Sequence, residues 1–258
     1  MTEEETQLWL SAHGWWDGAA GDRLRHFVAL VLEEADRQNL ISAGSRSQIW
    51  SRHVVDSAQL IPLLSTLEGR RASASGGEAV SPAPSELWVD LGTGAGFPGM
   101  VIGCLREQPI QLVEMRPLRV DFLRHCVAAL GLDHVEVVQG KVENARFDRP
   151  ASVISARAYA PLDRLLASAH HLADENTVWL LPKGRSSEKE LEIIRSGWQA
   201  VFHVEQSITD TESAIVTIQN LRRIDRSKGL RARAGRNHHA SYARCSRSSA
   251  SRRIKPRS

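Results

Sequence analysis

The chain has 258 residues, 42% of them hydrophobic, and a formal net charge of +3. That length buries a full α/β core, and no apolar run approaches the roughly eighteen residues that would cross a membrane. Its three cysteines, Cys104, Cys126 and Cys245, stand far apart with no CxxC spacing, which argues against a zinc site or a disulfide framework and suits a reducing cytosol.

The opening MTEEETQLWLSAHGWW is acidic and lacks a basic stretch followed by an apolar one, so it does not read as a secretory signal, and a cytoplasmic protein is expected. Residues 1–68 read as a helical region. Leu24, Phe27, Val28, Leu30, Val31 and Leu32 form a periodic face, followed after a break by Ile49, Val54, Val55, Ala58, Leu60 and Ile61. Residues 69–86, GRRASASGGEAVSPAPSE, have the composition of a flexible linker.

From residue 87 the pattern changes to strands alternating with helices. Strands are expected at 87–91, 110–114, 135–139, 151–155, 177–183, 199–206 and 214–221. The helices fall at 98–107 with Pro98 near the first position, at 117–131 with Gly131 as a left-handed cap, from near Pro161, and over 188–196. Such alternation specifies a parallel sheet with helices on both faces. The seven residues between the last two strands are too few for a crossover, so those strands should be antiparallel neighbours. Residues 222–258 carry 13 Lys/Arg against the single acid Asp225, whereas the preceding 221 residues carry 20 basic and 29 acidic groups. This Arg/Ser-rich tail reads as a disordered extension, with electrostatic attraction to nucleic acid as the alternative.

The most informative segment is Val89-Asp90-Leu91-Gly92-Thr93-Gly94-Ala95-Gly96-Phe97-Pro98-Gly99. Glycines after a buried strand let the backbone turn sharply and let a ligand approach it at the carboxyl edge of the sheet. Gly94 to Gly99 also fits the dinucleotide pattern GxGxxG, with Glu114 twenty residues on for a ribose. Against a pyrophosphate stands Asp90, whose carboxylate would repel it. S-adenosylmethionine instead brings an ammonium and a sulfonium, which a carboxylate attracts. The loop therefore favours the methyl donor, and Glu114 serves the ribose of either cofactor.

At this point the residues resemble a known family. Asp90 to Gly99 resembles the DxGTGxGxPG loop of the RsmG (GidB) family of small-subunit rRNA guanine-N7 methyltransferases. Asn39-Leu40-Ile41-Ser42, Arg52-His53-Val54-Val55-Asp56-Ser57, Arg157-Ala158-Tyr159-Ala160-Pro161-Leu162 and Lys183-Gly184 are similar, in order, to its NLTS, RHxxDS, RAxAPL and KG elements. The resemblance implies a class I, Rossmann-like methyltransferase domain over 87–221 with a mainly parallel seven-stranded sheet ending in an antiparallel hairpin. It implies S-adenosylmethionine as cofactor and methylation of one guanine N7 in 16S rRNA, free or in a small-subunit assembly particle, by a monomer. Glu34-Ala35 stand where the family carries Trp-Asn, the 69–86 linker is longer than usual, and the tail has no counterpart.

By resemblance, Gly92 and Phe97 line the cofactor pocket, Val142 and Glu143 lie near the adenine, and Arg157 closes the pocket. For Val142 plain packing serves equally well, and for Arg157 a surface ion pair. Lys183, at a strand end, is a candidate for phosphate or base contact, with Arg52, Arg157 and Arg185 as a positive rim for RNA. His53 and Asp56, three apart, share one face of a regular helix, either as an acid–base pair or, the favoured reading, as a tie between the helical region and the core. Guanine N7 has a free lone pair, so no general base is expected. No cysteine follows a proline, as cytosine carbon-5 enzymes require, and Ser155-Ala156-Arg157-Ala158-Tyr159 stands where exocyclic-amine enzymes carry (N/D)PP(Y/F). Two alternatives stay open: a methyltransferase for another RNA or a small molecule, and a non-catalytic S-adenosylmethionine-binding module that contacts RNA.

Overall fold

The computed structural model describes residues 1–74, 87–184 and 187–224. Most of the expected linker, Arg185 and the basic tail from Asp225 onward lie outside the described residues. The chain divides into the units Met1–Arg222 and Arg223–Ser258, and the account below concerns the first.

Seven strands build one sheet: β1 (Trp88–Leu91), β2 (Ile110–Glu114), β3 (Val135–Gln139), β4 (Ala151–Ser155), β5 (Ala173–Lys183), β6 (Trp198–Gln206) and β7 (Ala214–Arg223). Their spatial order is β3-β2-β1-β4-β5-β7-β6. The first five are parallel, and β7 runs antiparallel to β5 with Leu180 opposite Thr217. The strand order reverses between β1 and β4, the topological switch point at which open α/β sheets bind ligands beyond their carboxyl ends.

Alternation along each strand divides the core between two faces. Trp88, Ile110, Leu112, Val153 and Leu180 join one cluster. It also contains residues of α6 (Gly99–Leu105) and α7 (Pro117–Leu130). The N-terminal helices α1 (Glu3–Ala12), α2 (Gly18–Glu34) and α5 (Leu60–Ala74) pack into the same cluster through Leu10, Leu24, Phe27, Leu60 and Leu64. Val89, Leu91, Ile154, Trp179 and Leu181 face the other cluster, covered by α8 (Leu162–Ala169) and α9 (Ser187–Ile194). The N-terminal helical region is thus one side of the sheet's own core.

Three differences from the sequence reading have local causes. Helix α5 runs through Ala74, into the stretch read as linker, because Arg70 to Ala74 are adequate helix formers. Strand β5 begins four residues earlier than expected, where the exposed Asp174-Glu175-Asn176 conceals it. There the Asp174 carboxylate accepts the Asn176 and Thr177 N–H groups, and the β4–β5 register shifts. Between the short helices α3 (Ala43–Arg46) and α4 (Asp56–Ala58), residues Trp50–Val55 form a π-helical turn. Its wider winding moves side chains three apart off a common face.

Candidate active site

The carboxyl end of β1 carries Asp90, and the structure turns this side chain inward. It is fully buried; Oδ1 accepts from Ser155 Oγ at 2.6 Å and Oδ2 from the Gly99 N–H at 3.1 Å and from the Thr93 hydroxyl. Ser155 Oγ in turn accepts from Trp88 Nε1 at 2.9 Å. One carboxylate thereby ties β1, β4, the glycine loop and the first residue of α6 together. Burial raises its pKa to about 6, against the pull of these hydrogen bonds and of Arg157.

The loop that Asp90 braces carries positive φ at Gly92, Gly94 and Gly96. At Gly92, φ is +60° and the Tyr159 ring lies against the backbone, so that a Cβ would overlap the ring. Glu114, buried at the end of β2, holds the loop from the other side. Its Oε2 accepts from the Gly94 N–H at 3.0 Å, and Oε1 from the N–H groups of Met115 and Arg116 at 2.8 and 2.9 Å. Beyond β3 a single 3₁₀ turn, Val142–Asn144, buries Val142 in the sheet's second cluster and leaves Glu143 exposed. Glu143 contributes to an upward shift of the Tyr159 phenol that is caused first by burial. Tyr159 thus lies against the β1 loop, its hydroxyl donating to Ser168 Oγ at 3.4 Å.

A second group gathers around Phe97, the buried aromatic of the glycine loop. Its ring meets Phe27 at 5.3 Å, stacks on His53 at 4.9 Å and 25°, and lies under the Arg157 guanidinium at 5.2 Å. Arg157 donates to the Arg52 carbonyl at 3.1 Å and pairs with Asp56 at 3.4 Å, both side chains being mostly buried. Asp56 Oδ1 also accepts from Gln59, Ser207 and Thr209. Both nitrogens of His53 are buried without a hydrogen-bond partner among the described residues. Burial first, then Arg157 and Arg52, lowers its pKa to about 3, so it is neutral at ordinary pH. Lys183, at the end of β5, donates to the Ala160 carbonyl at 2.9 Å and pairs with Glu190 at 3.0 Å. Arg52 reaches Asp210 at 3.5 Å and stays half exposed. A cavity of about 490 Å³ opens beside Arg157, Tyr159, Lys183 and Asp56, and one of about 270 Å³ beside Arg52, His53, Asp56 and Ser213.

The family described as rRNA small subunit methyltransferase G matches residues 21–218, which include every group above. The chain belongs to this family. The ribosomal RNA small subunit methyltransferase G of Sphingopyxis alaskensis is 47% identical over 194 residues, covering 75% of this chain and 76% of its own. That of Rhizorhabdus wittichii is 43% identical over 235 residues, covering 90% and 99%. The solved glycopeptide N-methyltransferase MtfA complexed with S-adenosyl-L-methionine aligns at 14% identity and a TM-score of 0.44, over 54% of this chain and 82% of that one.

The sheet order, mainly parallel with one antiparallel pair, is the one expected of a class I methyltransferase, and the expected methyl donor of this methyltransferase family is S-adenosylmethionine. The residues present fit it. Three left-handed glycines turn the backbone at the switch point, and Glu114 Oε2, which accepts a single N–H, keeps a lone pair free to accept from a ribose hydroxyl.

For this methyltransferase G family member, the structure brings Gly92, Asp90, Glu114, Val142 and Arg157 to one edge of the sheet, with Phe97 stacked on His53 and Arg157 bonded to the Arg52 carbonyl. Three expectations need correction. Asp90 does not face a ligand, because its carboxylate is sealed among Ser155, Thr93 and Gly99. Lys183 is not a free phosphate-binding cation, because Glu190 of α9 pairs with it at 3.0 Å. His53 and Asp56 do not pair, because the π turn separates them and Arg157 takes the carboxylate. Tyr159, Glu190 and Ser155 were missed as site residues. Tyr159 lies inside the RAxAPL-like element and was open to notice; Glu190 and Ser155 become partners only through the fold.

Proposed function

We propose that this protein methylates the N7 nitrogen of a guanine in 16S rRNA. Membership of the rRNA small subunit methyltransferase G family supports rRNA as the substrate class. The observation that carries the choice of a ring nitrogen is the state of the titratable side chains beside the loop. Asp56 is paired with Arg157, Lys183 with Glu190, Asp90 is sealed by three donors, and His53 is too weakly basic to accept a proton near neutral pH. An exocyclic amine would need a proton removed. A ring nitrogen with an in-plane lone pair needs alignment alone.

Bound S-adenosylmethionine supplies an electrophilic methyl group on its sulfonium. The chain's own residues then divide the remaining work. Gly92, Gly94 and Glu114 seat the adenosine side, with Val142 packing below it, and Glu143 stands at the rim. Phe97 carries Arg157 and His53 toward the acceptor side. Arg52, half exposed, faces the RNA backbone.

Purified enzyme incubated with 16S rRNA or 30S particles should yield a single 7-methylguanosine by nucleoside mass spectrometry. Methylation at an exocyclic amine or a carbon would sink the assignment. The single-turnover rate should stay flat between about pH 6 and 9, since no essential base titrates there. A rate rising tenfold per pH unit in that window would point to proton removal instead.

A further inference from the structure

We propose that His53 and Asp56 read the edge of the acceptor purine, His53 donating to guanine O6 and Asp56 accepting from N1–H and N2–H, so that the pocket takes guanine and rejects adenine. This rests on the N7 reading above and adds what that reading lacks, a means of choosing the base. Guanine and adenine both present N7 with the same lone pair, so in-line placement of that nitrogen does not distinguish them. The difference lies along the far edge. Guanine shows an acceptor at O6 and donors at N1 and N2; adenine shows a donor at N6 and an acceptor at N1.

The side chains beside Phe97 complement the first pattern. Buried polar groups are nearly always paired, yet His53 keeps both ring nitrogens buried and without a partner among the described residues. The ring stacks on Phe97 at 4.9 Å, which sets its plane beside the glycine loop. Its depressed pKa keeps it neutral, with one donor and one acceptor. On Asp56, Oδ1 is filled by Gln59, Ser207 and Thr209, whereas Oδ2 has one long contact, 3.4 Å from Arg157. That oxygen has room for further donors.

Both residues line the 270 Å³ cavity, and Asp56 and Ser213 also line the 490 Å³ cavity at the ends of β4 and β5, so the two spaces meet at the carboxylate. A base turned out of its stack into that space would complete His53 and Asp56 together.

The test first maps the guanine modified by full-length wild-type enzyme, then places inosine or adenosine at that position by ligation. Inosine keeps N7, O6 and N1–H and lacks the N2 amine. Wild-type kcat/KM should fall about tenfold on inosine and about a thousandfold or more on adenosine. Asp56→Asn should methylate guanine and inosine at similar, reduced rates. His53→Phe keeps the stacking and removes both nitrogens, so it should fold at least as stably while kcat/KM on guanine falls about thirtyfold at unchanged S-adenosylmethionine affinity. His53→Gln, which retains a donor, should stay within about threefold of wild type. Wild-type enzyme that methylates inosine as fast as guanine, or a folded His53→Phe with full kcat/KM, overturns the proposal. If wild-type enzyme forms no 7-methylguanosine, the N7 reading itself falls, and the proposal with it.

Discussion

Replacing Gly92 with valine is expected to weaken S-adenosylmethionine binding by at least about a hundredfold, close to 3 kcal/mol. Two effects act together. Gly92 has φ +60°, which a β-branched residue adopts only under strain of about 1–2 kcal/mol. Its Cβ would also overlap the Tyr159 ring, so the ring must shift across the loop proposed to cradle the cofactor. Gly92→Ala carries the strain with less bulk, and a smaller loss is expected. Titration calorimetry on both variants, with thermal unfolding to show that each is folded, checks the ordering. Wild-type affinity in a folded valine variant would remove Gly92 from the cofactor site.

Asp90→Ala is expected to cost about 3 kcal/mol or more at neutral pH, because Ser155 Oγ, Thr93 Oγ1 and the Gly99 N–H would lose their buried acceptor at once. The loss should also depend on pH in a definite direction. The folded carboxyl titrates at about 6, above the ordinary aspartate value of 3.8, so the native state binds the extra proton in that window. The stability that Asp90 contributes is then fully present below about pH 4 and declines as pH rises through 6. The gap between wild type and Asp90→Ala should accordingly be wider near pH 5 than near pH 7.5. His53, whose lowered pKa favours the fold above 6.5 and penalises it as pH falls toward 3, titrates in both proteins and cancels from the difference. Denaturant melts at the two pH values test this, and a gap that narrows toward pH 5 contradicts it. Activity should fall with stability, since the loop and the start of α6 lose their common anchor.

Much of the architecture is local enough to be legible in one dimension. Strands β2, β3 and β4 occupy the expected residues because each is a short apolar run closed by turn residues. Gly131 ends α7 in the left-handed conformation, at φ +61°, that its position after an amphipathic stretch implies. The glycine loop and Glu114 are likewise local signals, set by a strand end and by one βα repeat. Tertiary structure alone decided how the charged side chains are used. Asp90 looks outward in sequence, but Ser155, 65 positions away, and Gly99 supply donors that draw it into the core. Lys183 looks free until α9 folds back and sets Glu190 against it. His53 and Asp56 look paired on a regular helix, and a π turn parts them so that Arg157, 101 positions from Asp56, claims the carboxylate. Backbone conformation follows from neighbours along the chain, whereas the partner of a buried charge is whichever opposite group the fold brings nearest, and periodicity carries no trace of that distance.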